Sequence, residues 1–162
     1  MTIEKKGAEF SVFRTYRYAL LRIWDEKLPL VLFIGLNPST ASADRDDATI
    51  RRVRTFSMRW GYGGFYMMNL FALVTPDPKE LEKSGNPLGD NDGWIEEIYP
   101  KCGKIIFAWG DFSQAQERSK EVIQMFREKN IQPYALVINK NGSPRHPLYV
   151  KSDTIPVLFE KT

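Results

Sequence analysis

The chain is poor in the residues that build metal and redox centres. Its 162 residues include one cysteine, Cys102, and one histidine, His146. A single thiol excludes an internal disulfide framework and any cysteine-cluster zinc site. A single histidine holds no metal without help from carboxylates. No apolar run approaches the ~20 residues that span a bilayer, and the opening MTIEKKGAEF lacks the apolar core of a secretory signal. These absences predict a cytoplasmic protein with no membrane partner and no cofactor. Nothing around Cys102 argues for an activated thiol, so it reads as a structural one.

What is present fits a globular protein. Hydrophobic residues make up 43% and charged residues 27%, too apolar for a disordered chain. The length suits one domain over residues 1–162, and no repeat or linker divides it. The net charge is only +3, but it is unevenly spread. Arg45, Arg51, Arg52, Arg54 and Arg59 form one basic cluster, and Lys140, Arg145 and Lys151 another. Brought together, they would offer a surface for phosphates; apart, they are ordinary solvated faces.

The hydrophobic pattern predicts an α/β fold. Phe10 to Trp24 alternates with a period near two and reads as one or two strands, a hairpin or edge element. LPLVLFIGL, 28–36, is a continuous apolar run of the kind buried on both faces of a parallel sheet. Ile50, Val53, Phe56 and Trp60 recur at helical spacing, behind an Asp-rich lead-in and before a stop at Gly61. Further strands are expected at 65–73, 104–110 and 133–139. Helices are expected near 79–83, over 92–102 until Pro100, and after a cap at Asp111 or Ser113. The tail beyond residue 150 reads as weakly structured. Alternation of this kind predicts three layers, α/β/α, around a central four-stranded, mainly parallel sheet, with the N-terminal strand or hairpin added.

In such sheets, ligands bind outside the carboxyl ends of the strands. Four strand ends then carry the chemistry: Asn37-Pro38-Ser39-Thr40, Asn69, Trp109-Gly110, and the loop around His146. Gly35 permits close approach of another group. Pro38 disfavours helix at Asn37. Ser39 and Thr40 are positioned to cap a following helix, whose N-terminus attracts anions. The motif fits a plain strand-to-helix turn equally well. His146, held between Pro144 and Pro147, has the chemistry of a general acid or of a donor to a developing anion. Asp44, Asp46 and Asp47 offer a magnesium site, but helix capping explains them more simply.

LNPSTASADRDDATIRR, RWGYGG with MNLFAL, AWG and GSPRHPLY together resemble a bacterial and phage family of uncharacterised domains, DUF1643. GLNP, MMNLFAL, IIFAWGDFSQ and RHPLYV also resemble, in the same order, four motifs of the uracil-DNA glycosylase superfamily. That second resemblance implies the fold of those enzymes and a set of roles. Asn37 would orient water or touch the sugar, Asn69 would read a base edge, and His146 would donate to the leaving base. Gly35, Pro38, Ser39, Trp109 and Gly110 would line the substrate pocket. Thr40, Arg51, Lys140 and Arg145 would hold phosphates. Three departures stand out. Asn37 replaces the aspartate of the most active members. Ser39-Thr40 replaces a stacking aromatic. His-Pro-Leu-Tyr lacks a phosphate-pinching Ser-Pro pair, although Leu148 or Tyr149 remains a candidate wedge or core residue.

Three functions follow as expectations. The first is a DNA- or nucleotide-directed protein that hydrolyses an N-glycosidic bond at a modified or mismatched base. The second is a non-catalytic nucleotide or nucleic-acid binding module. The third is a metal-assisted small-molecule hydrolase using Asp44, Asp46 or Asp47.

Overall fold

The computed structural model describes residues 4–160. Seven strands form one mixed sheet: β1 (Lys5–Phe10), β2 (Arg17–Ile23), β3 (Leu30–Gly35), β4 (Gly64–Asn69), β5 (Lys104–Phe107), β6 (Tyr134–Ala135) and β7 (Val157–Leu158). Their order is β1-β2-β4-β3-β5-β6-β7. The pairs β4–β3, β3–β5 and β5–β6 are parallel, and the three outer pairs are antiparallel. The expected four strands are therefore the centre of a wider sheet. The N-terminal segment is a hairpin paired to β4, and the tail expected to be weakly structured supplies β7. Strands at 104–110 and 133–139 are shorter than their apolar runs, because pairing ends before hydrophobicity does.

Four helices accompany the sheet: α1 (Ala48–Arg59), α2 (Lys79–Lys83), α3 (Asn91–Ile98) and α4 (Ala115–Glu128). Strand alternation sends successive side chains to opposite faces. Val31, Phe33, Phe65, Met67 and Ile106 join Ile50, Val53 and Phe56 of α1 in one core. Leu32, Ile34, Tyr66, Met68, Ile105 and Phe107 join Ile95 of α3 and Val122 and Phe126 of α4 in the other. A central strand sandwiched between two helix layers is buried on both sides, which is why its sequence is continuously apolar.

Helix ends only partly follow expectation. Asp47 caps α1, its Oδ1 accepting from the Ile50 amide at 2.9 Å, and Gly61 follows the helix with φ +82°. Ser39 and Thr40 do not cap it, because a loop of several residues separates them from α1. Neither Asp111 nor Ser113 caps α4 through its side chain; Gln114 occupies that place, and the Phe112 and Ser113 carbonyls open the first turn.

One irregularity decides where a charge goes. In the β1–β2 pairing, Glu9 faces Ala19 but Phe10 faces Arg17, so Tyr18 is the extra residue of a β-bulge. Bulges re-aim side chains. Ala19 packs in the α3/α4 core. Arg17, two residues earlier, reaches the opposite face and donates to the Ala41 carbonyl at 3.2 Å. A regular strand would have put both on the same side.

Candidate functional site

The carboxyl ends of β3 and β4 open into a cavity of about 160 Å³. Gly35, Asn37, Pro38 and Ser39 come from the β3 end and Asn69 from β4. Arg17 enters from β2, Asp47 from the start of α1, Thr75 from the loop after β4, Phe112 from the loop after β5, and His146 from the loop after β6. The strand order reverses between β3 and β5, so the cavity lies at the carboxyl edge of the parallel strands beside that switch point, the region where open α/β sheets bind ligands.

Gly35 makes room for Asn69. The two are register partners across β3 and β4. A Cβ at Gly35 would lie 2.8 Å from Asn69 Oδ1 and 2.7 Å from Met67 Cε. Asn69 is 2% exposed, and its Nδ2 has no hydrogen-bond partner among the described residues. Its strand end is fixed from behind by backbone carbonyls: Asn91 Nδ2 donates to the Asn69 and Leu70 carbonyls, at 2.7 and 3.0 Å, and Arg118 Nε donates to that of Leu70 at 2.9 Å. The peptide is held, while the side chain lines the cavity with its buried Nδ2 unpaired among the described residues.

Asn37 is held the other way. Its Nδ2 donates to the Pro38 carbonyl at 3.0 Å and to the Thr75 carbonyl at 2.8 Å. Two facing carbonyls require a donor, so Oδ1 is the end left over, an acceptor suited to a water. This also explains the residue type. An aspartate would set a carboxylate against two carbonyl oxygens.

His146 Nδ1 accepts from the Leu148 amide at 3.2 Å. That assigns the proton of the neutral ring to Nε2, which becomes a donor. Burial lowers the His146 pKa below the ordinary histidine value, and the Asp47 charge partly opposes the fall. The loop is pinned on both sides. Gly110 N donates to the Pro144 carbonyl at 2.8 Å, and the Arg52 guanidinium reaches the Pro147 and Val150 carbonyls.

The other expected site residues lie elsewhere. Trp109 is 3% exposed and fills the core against Phe107 and Phe159, its aromatic surface being better buried than presented. With Gly110 it lines a separate pocket of about 280 Å³ on the other side of Phe112. Gly110 has φ +79°, and a Cβ there would meet the Phe112 ring at 3.1 Å and His146 Cβ at 3.4 Å, so it acts by spacing its neighbours. Thr40, Arg51 and Lys140 are exposed outside the cavity. Arg145 is half-buried and donates to Asn139 Oδ1 at 2.8 Å. Arg52 of the first basic cluster reaches the segment between Arg145 and Lys151 of the second, but its bonds there are to the Pro147 and Val150 backbone carbonyls.

The three aspartates diverge as well. Asp46 binds Arg22 and Arg54. Burial pushes its pKa up, but the hydrogen bonds and charges of Arg22 and Arg54 outweigh this and hold it below the usual carboxylate range. Asp44 Oδ1 accepts from the Ser42 hydroxyl at 3.2 Å, and Asp47 caps α1. No cluster of three His, Cys, Asp or Glu side chains suited to a metal occurs among the described residues. Cys102 is half-buried, and desolvation pushes its thiol pKa up to about 12, which suits a structural thiol.

Sequence reasoning missed Arg17 and Phe112 as site residues, and weighed Asp47 as a helix cap or a metal ligand but not as part of this cavity. Phe112 had a signal, an aromatic three residues beyond Trp109 at a strand end. Arg17 had none, because its direction depends on the bulge.

The model of a protein family of unknown function, DUF1643, matches residues 17–148. The chain belongs to the DUF1643 family. The match begins at Arg17 and ends just past His146, so it encloses the whole cavity. No curated protein and no solved structure matches the chain. No helix among the described residues is long and apolar enough to cross a membrane.

Proposed function

We propose that the cavity receives a single nucleobase and that the protein hydrolyses the N-glycosidic bond of a modified or mismatched nucleotide. The observation that carries this reading is the convergence of Asn37, Asn69 and His146, from three separate strand ends, on one cavity. The glycosylase-like order of the surrounding motifs supports it. So does size, since an apolar cavity of about 150 Å³ takes one benzene ring. A one-ring base fits such a volume better than a two-ring base.

In this mechanism the target base is unpaired or flipped out of its stack. Asn69 offers a donor and an acceptor to the base edge. Water attacks the anomeric carbon, the carbon–nitrogen bond breaks, and the bonding pair leaves with the base. His146 Nε2–H donates to the oxygen where that charge develops. Asn37 Oδ1 orients the water but takes no proton. Asp47 is the one carboxylate lining the cavity among the described residues. Its Oδ1 serves the α1 cap, and its second oxygen accepts the proton.

The test is incubation of purified protein with oligonucleotides carrying uracil, a mismatched thymine or hypoxanthine. The expected result is abasic product from the one-ring substrates, lost in His146→Ala and Asp47→Asn. Absence of product at stoichiometric enzyme, with no binding of any strand at low salt, overturns the reading. A second reading, a non-catalytic binding module on the same cavity, is favoured by the locked amide of Asn37 and by the cap that occupies Asp47. It predicts binding that survives Asp47→Asn with no turnover.

A further inference from the structure

The structure assigns Arg17 as an anion-binding residue, and we infer that the cavity takes a ligand bearing an oxyanion, a carboxylate or phosphate, that bonds to the Arg17 guanidinium. The inference rests on the reading of this cavity as the ligand site, and adds a charge to that ligand.

Arg17 is 3% exposed. A buried guanidinium normally has a carboxylate against it and each N–H satisfied, because an unpaired buried charge is costly. Among the described residues, Arg17 makes one hydrogen bond, from Nη1 to the Ala41 carbonyl, and its Nε has no partner. The neighbouring charges do not close the gap. Asp47 attracts it only through space and is already bound to the Ile50 amide, while Arg22 repels it. Desolvation dominates, and the Arg17 pKa falls to about 10.

The orphan is not isolated. Asn69 Nδ2, on another residue lining the same cavity, is a second buried donor without a partner. Two residues lining one cavity thus each carry a buried donor, one of them charged, that no protein acceptor among the described residues matches. A ligand with a delocalised pair of oxygens matches a planar guanidinium fork better than a neutral carbonyl does. The bulge at Tyr18, which costs a regular ladder, is what delivers the guanidinium here.

The test is isothermal titration of the full chain with uracil, deoxyuridine, uracil-5-carboxylate, uracil-6-carboxylate, deoxyuridine 5′-phosphate and inorganic phosphate. At least one anionic probe should bind wild type at least about tenfold more tightly than its neutral parent, the size of a charge-assisted bond, with Arg17→Gln removing that margin. The carboxylates and the phosphates distinguish the two sources of the oxyanion. The comparison within wild type stands even if Arg17→Gln fails to fold. Equal binding of neutral and anionic probes, or an undiminished margin in Arg17→Gln, overturns the inference while leaving the base-binding reading intact. Inorganic phosphate bound through Arg17, with no ring-containing probe bound, would keep the anion site and refute the base pocket. Binding of none of the probes refutes both.

Discussion

Two arginines on β2, five residues apart, are both buried, yet they do opposite things. Arg22 is fully enclosed, and its guanidinium is satisfied throughout. Nε donates to Asp46 Oδ1 at 2.9 Å, Nη1 to the Leu21 and Ala43 carbonyls at 2.8 and 2.9 Å, and Nη2 to the Ser42 carbonyl at 2.8 Å. Arg17 has one carbonyl and an orphan Nε. Residue type and burial do not separate them; hydrogen-bond accounting does. Arg22 ties the loop before α1 to the sheet, whereas Arg17 lines a cavity with part of its bonding capacity unused.

The largest effect that would sharpen this contrast is on stability. Arg22→Met should cost about 3–5 kcal/mol, because Asp46 is left with Arg54 alone and three carbonyls lose their donor. Arg17→Met should leave stability unchanged or raised, since it removes an unpaired buried charge. Urea denaturation of both variants measures this, and equal losses would erase the distinction. Gly35→Ala comes next. The added methyl displaces Asn69 or Met67, with a cost of about 1–3 kcal/mol and loss of ligand binding beyond that cost. Asn37→Asp should destabilise by about 1–3 kcal/mol, by exchanging two donated hydrogen bonds for repulsion with the Pro38 and Thr75 carbonyls. A variant that is both stable and faster would contradict the account of why asparagine stands there.

The smallest effect is on titration. His146 should titrate below the ordinary histidine value by NMR, and Asp47→Asn should lower the midpoint further, because the Asp47 charge opposes the fall. The folded value lies below the unfolded one. The linked stability is therefore complete above the ordinary histidine pKa and is lost as pH falls toward the depressed value. A midpoint that rises in Asp47→Asn would break the electrostatic picture of the site.

Much of this was legible in the chain itself. Strands buried on both faces announce themselves as unbroken apolar runs, so β3 and β4 and the polar residues at their ends, Asn37 and Asn69, were found. The 3.6-residue spacing of Ile50, Val53 and Phe56 located α1. Other features depend on pairing over distance. The antiparallel hairpin widens the sheet through its register with β4, and β7 is two residues long. Arg17 changes faces because Tyr18 bulges opposite Phe10, which no periodicity reveals. Trp109 read as core or as a pocket wall; it packs against Phe159, fifty residues later, and lines a pocket separate from the one that holds Asn37 and His146. Arg51, Lys140 and Arg145 carried the right charge for phosphate, yet charge in a sequence has no direction.

The central claim is that three strand ends build one ligand cavity. It is tested most directly by titrating isotopically labelled protein with deoxyuridine and following side-chain resonances. The account predicts that the Asn69 amide and the His146 ring shift together, with the same saturation, while Trp109 does not. Shifts confined to the Trp109–Gly110 pocket, or none at the Asn69 amide at saturating ligand, would contradict it.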